Sequence, residues 1–206
     1  MILSSLKRAS PTATFHSFDA STTTGGLLSE SQRQSLMNRI DMEWKAFNEK
    51  RISTTTTRVS CYVRQDSTAS DFKVVLMRKE LERLTASSSK IDRLYSLLFK
   101  HGNEQNATAK DNLVSIVVRR CSQHGDAINF HTDVSLRTLQ VPLNDSFEGG
   151  KLVYVTNGKV HTPARTPGSA TVHGNDIAHG VTTLKAGVRY GLFLLVHPTS
   201  YQKRAD

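Results

Sequence analysis

His131 and Asp133 stand one residue apart in Phe130-His131-Thr132-Asp133. In an extended chain, residues i and i+2 share a face, so an imidazole and a carboxylate point toward one ion. A third ligand has to arrive from elsewhere, and His179, in Asp176-Ile177-Ala178-His179-Gly180-Val181, supplies it. Two imidazoles and one carboxylate form a facial triad of intermediate hardness, which suits iron(II) and leaves coordination positions open. His-x-Asp alone recurs by chance in a chain with 8 histidines, so its companions carry the weight. Chief among them is Arg189, in Gly187-Val188-Arg189-Tyr190-Gly191. A dicarboxylate chelating the ion at one end needs a cation at the other, and an arginine fork meets a carboxylate with two parallel hydrogen bonds.

The bland alternative makes His131 and His179 ordinary polar residues of a β-sandwich. The coincidence of three ligands, a Gly-Gly turn and an arginine argues against it. His173 is assigned a structural or pocket-wall role, and His124 and His161 are read as surface residues. Arg119, Arg120 and Arg137 are read as exposed strand ends rather than as the lining of a substrate groove. Gly149 and Gly150 serve the backbone at a tight turn before a strand.

These residues need a frame. Leu27 to Asn48 reads as a helix: Leu28, Leu36, Ile40 and Trp44 fall near helical spacing, and Ser29 with Gln32 makes a capping box. Thr54 to Arg64 is strand-like, with Val59, Cys61 and Val63 alternating, and Phe72 to Met77 is its partner. Arg78 to Thr85 is a short helix. Ile91, Leu94, Leu97 and Leu98 mark another, ending near Gly102 and followed by a loop to Lys110. From Leu113 the character changes to short apolar runs at 113–118, 127–131, 135–143, 151–155, 169–173, 178–184 and 188–196, punctuated by Gly, Asn, Asp and Pro. That is the pattern of many short strands in a sandwich or barrel. The expected class is α+β in one domain. Residues 1–25 form a flexible N-terminal segment, 26–112 a helical and mixed supporting region, and 113–200 an all-β core. In such a roll the last strand is expected beside the strand carrying His179, which turns Arg189 toward the same cavity.

Residues 113–196 resemble the double-stranded β-helix (jelly-roll, cupin-like) core of the 2-oxoglutarate- and iron(II)-dependent oxygenases, in the prolyl 4-hydroxylase-like branch. The matching segments are His131-Thr132-Asp133, Leu143-Asn144, Phe147-Glu148-Gly149-Gly150, Pro167-Gly168-Ser169-Ala170, His179-Gly180-Val181 and Gly187-Val188-Arg189. The resemblance implies iron(II) on His131, Asp133 and His179. It implies the 2-oxoglutarate C5 carboxylate on Arg189, with Thr138 beside that co-substrate. It further implies O2 as oxidant and ascorbate as an accessory reductant. The implied reaction is hydroxylation of a C–H bond of a peptidyl side chain, prolyl among the candidates, or of an amino acid, with release of succinate and CO2. This chain departs from the pattern at three places: Cys121 stands where relatives often carry Tyr, Arg189 where many prolyl 4-hydroxylases use Lys, and His173 where an aromatic residue is common.

Bulk properties set the outer bounds. A chain of 206 residues, 37% hydrophobic and 22% charged, has material for one sizeable core. No apolar run reaches membrane-spanning length, and Met1–Leu6 is too short for a secretory core. The Ser/Thr-rich start reads first as a floppy end and second as an organelle transit peptide. Two cysteines do not make a disulfide framework and point to a reducing compartment, cytoplasmic or nuclear. The net charge of +9 is scattered, so a solvated surface leads over a nucleic-acid-binding one. Three other readings stay open. An AlkB-like nucleic-acid demethylase usually places two arginines beyond the distal histidine, and here only Arg204 follows Arg189. The others are a non-catalytic β-roll binding module and a zinc or manganese cupin-type enzyme, in which Arg189 has no purpose. Substrate and oligomeric state are not legible.

Overall fold

A computed structural model describes residues 9–18, 26–52, 60–100 and 112–198. In chain order the elements are β1 (Phe15–Phe18), α1 (Glu30–Asn48), β2 (Cys61–Val63), β3 (Asp71–Leu76), α2 (Arg78–Thr85), α3 (Ser88–Lys100), β4 (Asn112–Cys121), β5 (Ile128–His131), β6 (Arg137–Pro142), β7 (Phe147–Gly149), β8 (Leu152–Thr156), β9 (Lys159–His161), β10 (Ala170–Gly174), β11 (Ala178–Val181), β12 (Leu184–Gly187) and β13 (Arg189–Pro198). The strands form a seven-stranded sheet, β1-β10-β6-β13-β4-β3-β2, a four-stranded sheet, β5-β11-β8-β9, and the pair β12-β7. Every strand pairing is antiparallel. This is a jelly roll with helices packed on the large sheet, the α+β class expected.

The two faces of the large sheet are sorted by strand period. On β13, Leu192, Leu194 and Val196 enter the main core, whereas Arg189, Phe193 and Leu195 line an internal cavity. The same alternation puts Leu139 and Val141 of β6 in the core and Thr138 and Gln140 on the cavity side. It likewise separates Ile116 and Val118 of β4 from Val117 and Arg119. A one-residue slip in any of these strands would exchange the two sets, so the buried apolar face pins the register.

The helices close the apolar face with Leu36, Ile40, Leu81, Ile91, Leu94 and Leu98, all essentially inaccessible. Burying one such side chain contributes roughly 1.5–3 kcal/mol, which makes this layer the main adhesive of the fold. Helix α1 starts at Glu30 rather than Leu27, because Ser29 caps it. The Gln32 amide donates to Ser29 Oγ and the Ser29 amide to Gln32 Oε1 at 2.9 Å. Leu27 and Leu28 are buried ahead of the cap, and Leu27 is tied by its amide to the Gly168 carbonyl.

Several expectations shift. Within the mixed supporting region, the expected strand pair is β2 and β3, and it adds to the edge of the large sheet. The composition of residues 1–25 does not foreshadow β1, which pairs with β10 and stacks Phe15 on Tyr154 at 4.4 Å between ring centroids. The strand reading over Thr54–Val59 and the loop reading over 102–110 lie outside the described residues. Short strands β7, β9 and β12 were not visible as apolar runs. Gly149 and Gly150 do hold positive φ, 75° and 58°. A Cβ on Gly149 would collide with the Thr183 carbonyl across the β7–β12 pair, so only glycine fits there.

Candidate metal centre

Register brings the distant histidine to the near one. His179 of β11 lies directly opposite His131 of β5, and residues opposite each other in an antiparallel pair project side by side from one face. Their ring centroids are 4.4 Å apart. Asp133 follows β5 and enters the gap between the two sheets. One ligand atom from each of His131, Asp133 and His179 lies within 4.8 Å of the others.

Each side chain is oriented from behind. His131 Nδ1 is 2.8 Å from the Asn129 carbonyl and His179 Nδ1 is 3.3 Å from the Ile177 carbonyl. Carbonyls only accept, so both rings carry their proton on Nδ1 and present Nε2 inward. Those two Nε2 atoms lie 3.6 and 3.5 Å from Asp133 Oδ1. The other carboxylate oxygen, Oδ2, is taken by the large sheet. Thr138 donates to it and is itself held by Ser135 at 2.9 Å. His173 Nε2 approaches Oδ2 at 3.2 Å, while Tyr154 O–H reaches His173 Nδ1 at 2.9 Å. Since His173 and Thr138 face each other across β10 and β6, the carboxylate is gripped by two neighbours of one ladder.

The titrations follow from this packing. Burial alone would raise the Asp133 carboxyl, but the facing imidazoles of His131, His173 and His179 outweigh it and hold it far below the ordinary carboxylate range. Burial pushes His173 down to about 4, so it stays neutral and can donate from Nε2 while accepting at Nδ1. Burial also pushes the Tyr154 phenol up to about 12, keeping its proton. His131 is raised by its hydrogen bond to Asp133. When both rings are deprotonated at Nε2, two imidazole lone pairs and a carboxylate oxygen converge. Three acceptors facing one another repel unless a cation lies among them, and nitrogen–oxygen sets of this kind suit a divalent transition metal.

The centre opens on a cavity of about 200 Å³, walled by Ile128, Leu152, Val181, Phe193 and Leu195. Arg189 enters this cavity from β13, but not as expected. The last strand does not neighbour β11. It lies in the large sheet between β6 and β4, so Arg189 faces the cavity from the opposite wall. The reason is the jelly-roll connection, which sends the chain across to the other sheet between β11 and β13. Among the described residues the Arg189 side chain makes no hydrogen bond or ion pair. Burial first, then the nearby charges of Arg165 and Arg119, push it down to about 9. Thr138, expected beside a co-substrate, does line the cavity, with its hydroxyl committed to Asp133. Cys121, opposite Arg189 on β4, is outside the cavity walls and is a free thiol, as is Cys61.

The three other arginines are not bare strand ends. Arg119 faces the cavity and forks onto Asp71 at 2.6 and 3.0 Å. Arg120, on the opposite face, pairs with Asp41 at 3.0 Å and lies over the Trp44 ring at 3.9 Å. Arg137 donates to the carbonyls of Leu98 and Phe99, closing the end of α3. Their alternation along β4 and β6 was legible, but which face met a helix was not. Of the other histidines, His124 is exposed, and half-buried His161 borders Phe15. His173 is the functional neighbour that residue type alone undervalued. The sequence signal was its place on an apolar run just ahead of the strand that carries His179, where a histidine needs partners.

No family model matches the chain, and no curated protein matches it in sequence. Solved structures do. A prolyl hydroxylase from Trichoplax adhaerens, solved with a hypoxia inducible factor peptide fragment, aligns at a TM-score of 0.57 with 15% identity, covering 100% of this chain and 91% of that one. The viral collagen prolyl hydroxylase of Paramecium Bursaria Chlorella virus-1, a 2-oxoglutarate complex, gives 0.55 with 15% identity, covering 89% and 95%. A Pseudomonas putida prolyl-4-hydroxylase gives 0.54 with 13% identity, covering 96% and 99%. At these identities the likeness is one of fold, and the fold is that of the prolyl hydroxylase-like 2-oxoglutarate oxygenases. Among the described residues no helix is long and apolar enough to cross a membrane.

Proposed function

We propose that this chain is an iron(II)- and 2-oxoglutarate-dependent dioxygenase that hydroxylates a C–H bond of a peptidyl side chain, prolyl among the candidates. One observation carries the reading: three converging metal-binding atoms share a cavity with a half-buried arginine that has no acid partner among the described residues. His131, Asp133 and His179 would hold the iron. Bound there with 2-oxoglutarate and O2, iron(II) supplies oxidation of an unactivated C–H bond, with succinate and CO2 as co-products.

The chain's own residues do the positioning. Thr138 and His173 fix the plane of the Asp133 carboxylate, so Oδ1 is presented to the ion and Oδ2 is not. The backbone carbonyls of Asn129 and Ile177 fix the histidine tautomers. Arg189 meets the far carboxylate of the keto-diacid with its fork, which sets how deep that molecule sits. The apolar walls exclude water and so strengthen each of these contacts. The peptide class draws support from the fold shared with prolyl hydroxylases, one of them seen with a peptide.

The test is succinate formation with iron(II) and 2-oxoglutarate across proline-containing peptides, free amino acids and methylated oligonucleotides. His131→Ala and Asp133→Ala should be inactive. Variants that turn over as fast as the wild type would remove the assignment.

A further inference from the structure

A second cavity, of about 530 Å³, shares Arg189 and Leu152 with the first and none of the three metal-facing residues. Its size is within the range of small-molecule sites. Phe147, Tyr190, Pro142 and Pro163 give it apolar walls, and Arg165 enters it beside Arg189. The two arginines are close enough for the Arg165 charge to bear on Arg189 more than any other charge does.

Neither cation is neutralised. Arg165 donates to Gln140 Oε1 at 3.1 Å, and no carboxylate partner exists for either guanidinium among the described residues. Both are half-buried, and that burial lowers their proton affinity. The acids that line the cavity do not help: Asp145 and Glu148 are exposed at its rim, and Glu148 already pairs with Lys185 at 3.1 Å. Two like charges lining one half-buried cavity repel each other unless an anion joins them. The keto-diacid of the proposed reaction would bring one far carboxylate to Arg189 from the metal side. Arg165 lines only the second cavity, so that carboxylate leaves it without a partner.

We propose that this second cavity binds a small amphipathic carboxylate. Its anion sits on Arg165 and the adjoining face of Arg189, and its apolar body lies against Phe147, Tyr190 and Pro163. Because Arg189 is common to both cavities, this ligand and 2-oxoglutarate weaken each other's binding, by the same factor in both directions.

The test uses the full chain, free of iron, with phenylacetate as probe and phenylacetamide as its neutral counterpart, measured by calorimetry. Phenylacetate should bind at least about tenfold tighter than the amide, the scale of a charge-assisted hydrogen bond. Arg165→Met should remove that advantage. Ala164→Trp, on an exposed position of the cavity wall, should block the site without touching an arginine, and so guards against a folding defect in the first variant. Neither variant should change 2-oxoglutarate affinity in the manganese-loaded protein. Equal binding of acid and amide overturns the proposal, as does unchanged affinity in both variants. Loss in Arg189→Met alone would put the anion on the metal side and also overturn it. A parallel loss of 2-oxoglutarate binding in Arg165→Met would merge the two sites, with the same consequence. A wild type that binds phenylacetate but not 2-oxoglutarate supports this site while removing the oxygenase reading.

Discussion

At the metal end of the roll, Thr138 and His173 hold Asp133 Oδ2, and Oδ1 faces the two inward Nε2 atoms. At the other end, half-buried Arg189 and Arg165 line one cavity, and neither pairs with a carboxylate among the described residues. The first arrangement spends its hydrogen bonds on geometry, which a metal site needs before the ion arrives. The second leaves charge uncompensated, which costs stability and is tolerated where a ligand supplies the missing anion. The cavity mouth resembles the first kind, with Arg119 and Lys73 paired to Asp71, and Lys73 and Arg64 paired to Asp66.

Removing Asp133 should break the contrast most. Asp133→Ala is expected to abolish metal-dependent thermal stabilisation and to cut succinate formation by more than about 100-fold, beyond what a residue behind the ligands costs. Undiminished stabilisation by manganese would mean that the metal sits elsewhere.

Next comes Arg189→Met. Affinity for 2-oxoglutarate should fall roughly 10- to 100-fold, while manganese affinity holds. The metal-free variant should be no less stable than the wild type in urea, because a desolvated cation without a partner has gone. A clear drop in its unfolding midpoint would show a counter-ion in the fold and erase the difference between the two ends.

His173→Phe sharpens the metal end. Metal affinity should weaken about tenfold through the loosened carboxylate, and His173→Gln, which keeps a donor, should recover part of it. Equal metal affinity in all three proteins would reduce His173 to packing.

The smallest effect belongs to the mouth. Burial alone would raise Asp71, but the hydrogen bonds and charges of Arg119 and Lys73 hold it below its ordinary 3.8. A carboxyl lowered on folding adds stability that is present above about pH 4 and fades as pH drops through the folded value. Asp71→Asn should therefore cost about 1 kcal/mol near neutrality and flatten the acid limb of a urea-unfolding series. Parallel pH curves for the two proteins would contradict the pairing.

How much of this was legible can be judged residue by residue. His131 and Asp133 announced themselves because strand geometry makes i and i+2 neighbours without help from the rest of the fold. The Ser29–Gln32 cap and the leucines of α3 were readable for the same local reason. His179 needed the family-like segment order, since nothing local links β11 to β5. His173 and Tyr154 were not read as supports of Asp133 because their roles exist only across two strand pairings and two sheets. The pairing of Arg119 with Asp71 was hidden likewise, although the alternation separating Arg119 from Arg120 was in plain view.

By itself, then, the sequence determined the local periods, the caps, the turn glycines and the identity of the donor atoms, all of which depend on neighbours within a few residues. Only the tertiary structure decided which sheet carries Arg189, which oxygen of Asp133 faces the two histidines, and that Arg165 and Arg189 line one cavity without a paired acid among the described residues. Those are outcomes of strand register and sheet stacking, and they are set by burying one apolar face against the helices rather than by any residue of the site.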